Sequence, residues 1–221
     1  MPEPIQRLFE PLLAAATILV IAGLAVAPFL TPMWVSFEQE RAQATAWTGY
    51  TTDQVRTATD AILADLVVGP PDFDVEIDGV AVLNEREREH LRDVRDVFAA
   101  FAVAVLLGAL ALIAGRRALG PERWRAALRR GATWAVVAIV AGGIIAVAAF
   151  DAAFEIFHQL FFTGGSYTFD PRTERVVQLF PNQFWLESTI AVGAVIAGIA
   201  LIVRRAARPS DAHTARAGDA A

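Results

Sequence analysis

Two histidines, His90 and His158, are the side chains best suited to proton chemistry at neutral pH, and each stands among carboxylates at helical spacing. Glu87 and Asp93 flank His90 at three residues on either side, and Asp151 and Glu155 precede His158, so each set falls on one helical face. Two imidazoles of this kind can act as base and acid, or as metal ligands. A neighbouring carboxylate can fix an imidazole tautomer. A plainer reading stands beside this one. A His next to acids at a membrane surface is often only a solvated, paired side chain. Glu87 has a structural task as partner of a helix cap, Asp93 beside Arg92 and Arg95 suits a charged surface, and Asp151 and Glu155 can simply end a helix at the interface. His213 lies in a polar Ala/Asp/Arg tail and is expected to be solvated. Neither His90 nor His158 belongs to an H-x-x-x-H or H-E-x-x-H pattern, so no metal ligand and no cofactor is assigned. The absence of cysteine excludes disulfides, a thiol nucleophile and thiolate metal sites.

The elements that must position these groups are membrane helices. The chain of 221 residues is 55% hydrophobic, and its apolar residues fall in long blocks rather than periodic stripes. Four blocks approach the ~20 residues that a spanning helix needs. They begin at Leu12, Val97, Ala132 and Phe184, and predict an all-α membrane protein, a four-helix bundle with spans over about 12–34, 96–115, 132–151 and 184–203. Ala25-Val26-Ala27 resembles a signal cleavage site, but Pro28 and the length of the apolar run favour an uncleaved span. All 19 basic residues are Arg. Six of them, from Arg116 to Arg130, lie between the second and third blocks, and Arg204, Arg205 and Arg208 follow the fourth. The positive-inside rule therefore places both termini in the cytoplasm of a plasma-membrane protein and segments 35–95 and 152–183 outside. Residues 209–221 read as a disordered cytoplasmic tail. No basic stripe is interleaved with aromatics, so nucleic acid is not an expected partner.

In the first external segment, Val55, Ala58, Ile62 and Leu66 predict an amphipathic helix over Gln54–Val67, ended by Gly69-Pro70-Pro71. Alternating residues around Asp78-Gly79 predict a small β-hairpin, expected to pack on the membrane face of the bundle. Asn84 with Glu87 reads as a capping box starting a helix that continues into the second span. In the second segment, Phe154, Phe157, Phe161 and Phe162 surround His158, Gly164-Gly165-Ser166 is expected to break the helix, and Asp170-Pro171 marks a turn.

The stretch Glu87-x-x-His90-Leu91-x-Asp93-Val94, with Phe157-His158-x-x-Phe161-Phe162, Asp170-Pro171 and Phe180-Pro181, resembles the DUF1461 membrane proteins, a family that includes the lipoprotein intramolecular transacylases of low-GC Gram-positive bacteria. Both motifs occupy matching places in the order of spans, and Leu91 stands where the family has Met. The resemblance implies a reaction on lipoproteins whose N-terminal Cys carries a diacylglyceryl group, in which an acyl chain moves from glycerol to the Cys α-amine. It places the family's two important histidines at His90 and His158.

Two other readings remain open on the sequence: a non-catalytic membrane module binding a partner or ligand through its external segment, and a metal-dependent hydrolase. The separation of the two imidazoles bears on the choice. A shared proton-transfer site requires rings within about 8 Å across one cavity.

Overall fold

A computed structural model describes residues 3–162 and 167–208. The expected break at Gly164-Gly165-Ser166, the tail and His213 lie outside the described residues. Helices predominate: α1 (Glu3–Val26), a 3₁₀ turn (Ala27–Leu30), α2 (Pro32–Arg41), α3 (Ala44–Thr48), α4 (Thr52–Val67), α5 (Glu85–Ala148), α6 (Phe150–Phe161), α7 (Arg175–Leu179) and α8 (Asn182–Ala206). Between α4 and α5 lies a hairpin of β1 (Glu76–Ile77) and β2 (Val80–Ala81).

Three helices among the described residues, not the expected four, are long and apolar enough to cross a membrane: Phe9–Leu30, Glu85–Ile145 and Asn182–Ala206. The second and third apolar blocks share α5, because the Ala- and Arg-rich connection between them is itself a good helix former. One residue, Gly120, departs from helical geometry (φ 76°, ψ 169°). Positive φ suits glycine, and Pro121 disfavours an α-helical residue before it. The chain doubles back at this point. Trp124 Nε1–H donates to the Leu112 carbonyl at 2.9 Å, whereas residues twelve apart on an unbroken helix would lie about 18 Å apart. A second departure lies at Ala149 (φ −144°, ψ 51°), which ends α5. Asp151, Glu155 and His158 therefore sit on a separate short helix, α6, rather than on a continuation of the third apolar block.

The chain divides into two compact units. The span unit comprises Met1–Gly23, Val103–Val140 and Val195–Ala221. Its buried contacts are made largely by small residues, with Ala132, Ala135 and Ala200 around Ile21, and Ala127 beside Leu13 and Leu119. Membrane helices pack this way because van der Waals contact at close approach replaces the hydrophobic drive that lipid cannot supply.

The site unit comprises Leu24–Ala102 and Ala141–Ala194. Val55, Ala58 and Ile62 form the buried face of α4, whose start is a capping box between Thr51 and Gln54. Against them pack Phe73, Val75, Ile77 and Val82 of the hairpin region and Val176 and Leu179 of α7. The hairpin is shorter than the sequence suggests and packs on these elements rather than on a membrane-facing surface. Its turn residues Asp78 and Gly79 both have positive φ (53° and 75°), the primed turn that matches strand twist. At the centre of the unit, Gln39 Nε2–H donates to Thr59 Oγ1 and to the Leu179 carbonyl, both at 2.9 Å, satisfying polar groups that burial would otherwise leave unpaired.

Candidate active site

His90 lies in the second turn of α5, ahead of the apolar stretch that begins at Val97, and His158 lies in the last turn of α6. Both are buried, at 7% and 8% exposure, within the site unit. Their ring centroids are 6.2 Å apart and the planes are inclined by 23°, a stacked pair inside the 8 Å limit. His158 Nδ1–H donates to the Phe154 carbonyl at 2.7 Å. A carbonyl can only accept, so Nδ1 carries a proton, and in the neutral ring Nε2 presents the lone pair. His90 Nδ1 is buried without a hydrogen-bond partner. Burial, followed by the neighbouring His158 ring, holds His90 below the usual imidazole value, so it is neutral at pH 7.

Aromatic rings enclose the pair. Phe162 touches both imidazoles, with centroids 4.9 Å from His90 and 5.4 Å from His158. Phe169 meets His90 edge-on at 5.3 Å, and Tyr167 lies 5.0 Å from His158. Phe162 also lines a groove of about 330 Å³ with Asp93, Asp96, Val97, Ala100 and Phe161. Ile156, Phe157, Leu160 and Phe161 of α6 are exposed, an apolar surface of the kind that sits in a membrane interface.

The profile of the family described as lipoprotein intramolecular transacylase Lit matches residues 11–185. The chain belongs to this family. A solved structure of the membrane integral Lit from Bacillus cereus superposes with a TM-score of 0.78 at 17% identity, covering 91% of this chain and 94% of that one. Two structures of the Bacillus cereus protein with one histidine replaced, by Arg or by Ala, each give a TM-score of 0.72 at 18% identity, with coverage of 91–92% on both sides. At these identities the likeness is one of fold. No curated protein matches the chain. It is a polytopic, mainly helical membrane protein of the Lit family with a small hairpin outside its apolar helices.

Within this Lit-family fold, the carboxylates expected to support the histidines have other partners. Glu87, 1% exposed, accepts from the Asn84 N–H at 2.8 Å and from the Val176 N–H at 2.7 Å, clamping the start of α5 to α7. Asp151 accepts from Asn182 Nδ2 at 3.0 Å and ties α6 to the start of α8. Asp170 accepts from Arg172, whose guanidinium and N–H hold its carboxyl below the usual range, and shapes the turn after Phe169. Glu155 accepts from Tyr167 O–H at 2.9 Å and so holds that ring against His158. The same bond raises the Tyr167 pKa and keeps the phenol protonated. Asp93 lines the groove. At His158 it is a main-chain carbonyl, not a carboxylate, that fixes the tautomer.

Sequence reasoning missed Phe169, Arg86 and Glu174. The Arg86 guanidinium stacks 4.9 Å from the Phe169 ring centre while pairing with Glu174 at 2.5 Å. Burial alone would raise the Glu174 carboxyl, but Arg86 and the Asp170 N–H outweigh it, and the group lies below its ordinary value. Phe169 is thereby fixed between a cation and His90. No group of three or more His, Cys, Asp or Glu able to hold a metal is present among the described residues.

Proposed function

We propose that this protein is a membrane transacylase, which moves an acyl chain from the diacylglyceryl group of a lipoprotein N-terminal Cys to the α-amine of that Cys and leaves the lyso form. The observation that carries this reading is the stacked His90–His158 pair, with His158 Nδ1 committed to a carbonyl. The amine nitrogen attacks the ester carbonyl carbon, a C–N bond forms and the C–O bond to glycerol breaks. One proton leaves the nitrogen and one is returned to the glycerol oxygen. His158 Nε2 suits the first transfer, since its tautomer leaves that nitrogen free to accept, and a neutral His90 within reach suits a relay. The amine has a reference pKa near 8 and arrives largely as ammonium, so it first releases one proton to solvent, and the neutral nitrogen then attacks as above. Asp93 and Asp96 offer it a counter-charge in the groove, and Val97, Ala100 and Phe161 offer apolar contact to the acyl chain. Because nucleophile and ester share one substrate, positioning supplies much of the catalysis.

The topology that fits is four crossings, the two limbs of α5 passing separately on either side of Gly120. The Arg-rich turn then faces the cytoplasm, with both ends of the chain, and the histidines face the outer leaflet.

His90→Ala and His158→Ala are expected to retain fold and to lose transacylation by about 100-fold or more, the scale of general acid–base contributions. Mass spectrometry of the N-terminal peptide of a lipoprotein, made with and without each variant, reads the result. Full lyso-form product from both variants would remove the histidine pair from the reaction, and an acylation pattern unchanged by the native protein would favour a non-catalytic module.

A further inference from the structure

In the span unit, Leu112, Ile113, Arg116, Arg117 and Trp124 line a crevice of about 430 Å³ at the point where α5 turns. Its parts are fixed unequally. The Trp124 indole is held by its N–H bond to the Leu112 carbonyl, and the Arg116 guanidinium lies 5.6 Å from the centre of the indole ring. Arg117 is exposed at the mouth. Below Arg117 on the same helical face stand Ile113, Leu110 and Leu106, all exposed at more than half of their surface. From Leu106 to Arg117 the helix rises about 16 Å, which matches one leaflet of a ~30 Å hydrocarbon core. One guanidinium therefore sits over an aromatic ring, with a second lining the same crevice, at one end of an apolar stripe one leaflet long.

We propose that this crevice binds a single anionic phospholipid. Its phosphate is taken by Arg116 and Arg117, its glycerol backbone lies against Trp124, and one acyl chain runs along the stripe of Ile113, Leu110 and Leu106. Guanidinium groups suit the phosphate because their planar N–H pairs match its oxygens. A zwitterionic lipid presents the same phosphate with a cation beside it, so the paired Arg residues discriminate against it. The competing explanation is diffuse attraction of the whole basic connection to anionic lipid, worth about 1 kcal/mol per Arg without a site. Arg129 and Arg130 belong to that connection but not to the crevice, and they separate the two explanations.

The test is native mass spectrometry of the full chain in detergent with phosphatidylglycerol, with phosphatidylethanolamine of the same chains, and with inorganic phosphate. The expected result is one phosphatidylglycerol retained per protein. Its occupancy should fall at least tenfold in Arg116→Gln/Arg117→Gln and stay within twofold of the native value in Arg129→Gln/Arg130→Gln. Circular dichroism verifies the fold, and should the double variant fail to fold, Arg117→Gln alone carries the test with at least a threefold loss. Equal losses in both pairs of variants would overturn the site, as would equal retention of phosphatidylethanolamine or displacement of the lipid by inorganic phosphate.

Discussion

The two units solve the problem of burial by opposite means. In the span unit, helices meet where side chains are nearly absent. A Cβ built on Gly131 would lie 2.4 Å from the Ala14 carbonyl oxygen, and one on Gly115 would lie 2.6 Å from the Leu13 side chain. In the site unit, contacts are made by full-sized apolar side chains and by polar groups whose partners are met one by one, as in Glu87 with two N–H groups and Gln39 with Thr59 and Leu179. The difference follows from the surroundings. Lipid offers no hydrophobic drive between helices, so close van der Waals contact decides. A region that leaves the lipid can gain from apolar burial, but must satisfy every polar group it buries. The histidine pair needs the second solution, because a stacked, tautomer-defined arrangement requires rigid neighbours.

Removing the clamp should therefore have the largest effect on the site unit. Glu87→Ala leaves the buried N–H groups of Asn84 and Val176 without their acceptor. The expected cost is about 3 kcal/mol, from hydrogen bonds to a charged group worth ~1.5–3 each. Thermal unfolding in detergent measures it, and transacylation should fall with it as α7 and Phe169 lose their anchor. A loss of less than 1 kcal/mol would show that the clamp is not what holds this unit.

In the span unit the sensitive change is the addition of one methyl group. Gly131→Ala forces the new Cβ against a backbone carbonyl that has little freedom to yield, and overpacking of this kind costs about 1–3 kcal/mol. Gly198→Ala is the control in the same unit, since a Cβ there meets nothing within 4 Å. It should be neutral, or stabilising by up to about 1 kcal/mol through helix propensity. Equal effects of the two substitutions would remove the close-contact account of the span unit.

Locally encoded features were legible in the sequence, and those that depend on distant contacts were not. The Asn84–Glu87 capping box, the buried face of α4 and the Asp78-Gly79 turn each depend on residues within a few positions, and each is observed. The second task of Glu87 depends on the N–H of Val176, 89 residues away, which no spacing announces. The same holds for Arg86 and Glu174 behind Phe169. The apolar blocks were visible by hydropathy, but the helical continuity between the second and third was not, because Arg charges mark a connection and say nothing of its backbone. Gly120-Pro121 was the available signal for the turn. The two histidines stood out by residue type, but their approach to 6.2 Å is set by α5 and α6 together.

A pH-dependent effect is expected at a carboxyl in the site unit whose environment opposes its charge. Glu38 is 1% exposed, and its Oε1 is buried without a hydrogen-bond partner, 3.8 Å from Arg41 Nε. Burial, then the adjacent Glu187 carboxylate, pushes its pKa up from 4.5 to about 7, against the opposing pull of Arg41. Between these values the unfolded chain ionises while the folded one keeps its proton, so stability falls as pH rises through that window and levels off above it. Glu38→Gln keeps the shape of the protonated acid and has no charge to bury. Its Tm should lie close to that of the native protein at pH 4 and exceed it by about 5 °C or more at pH 8. Parallel Tm curves for the two proteins from pH 4 to pH 8 would mean that Arg41 offsets the charge of Glu38 in full, and that this unit tolerates a buried carboxylate with one partner where Glu87 is given two.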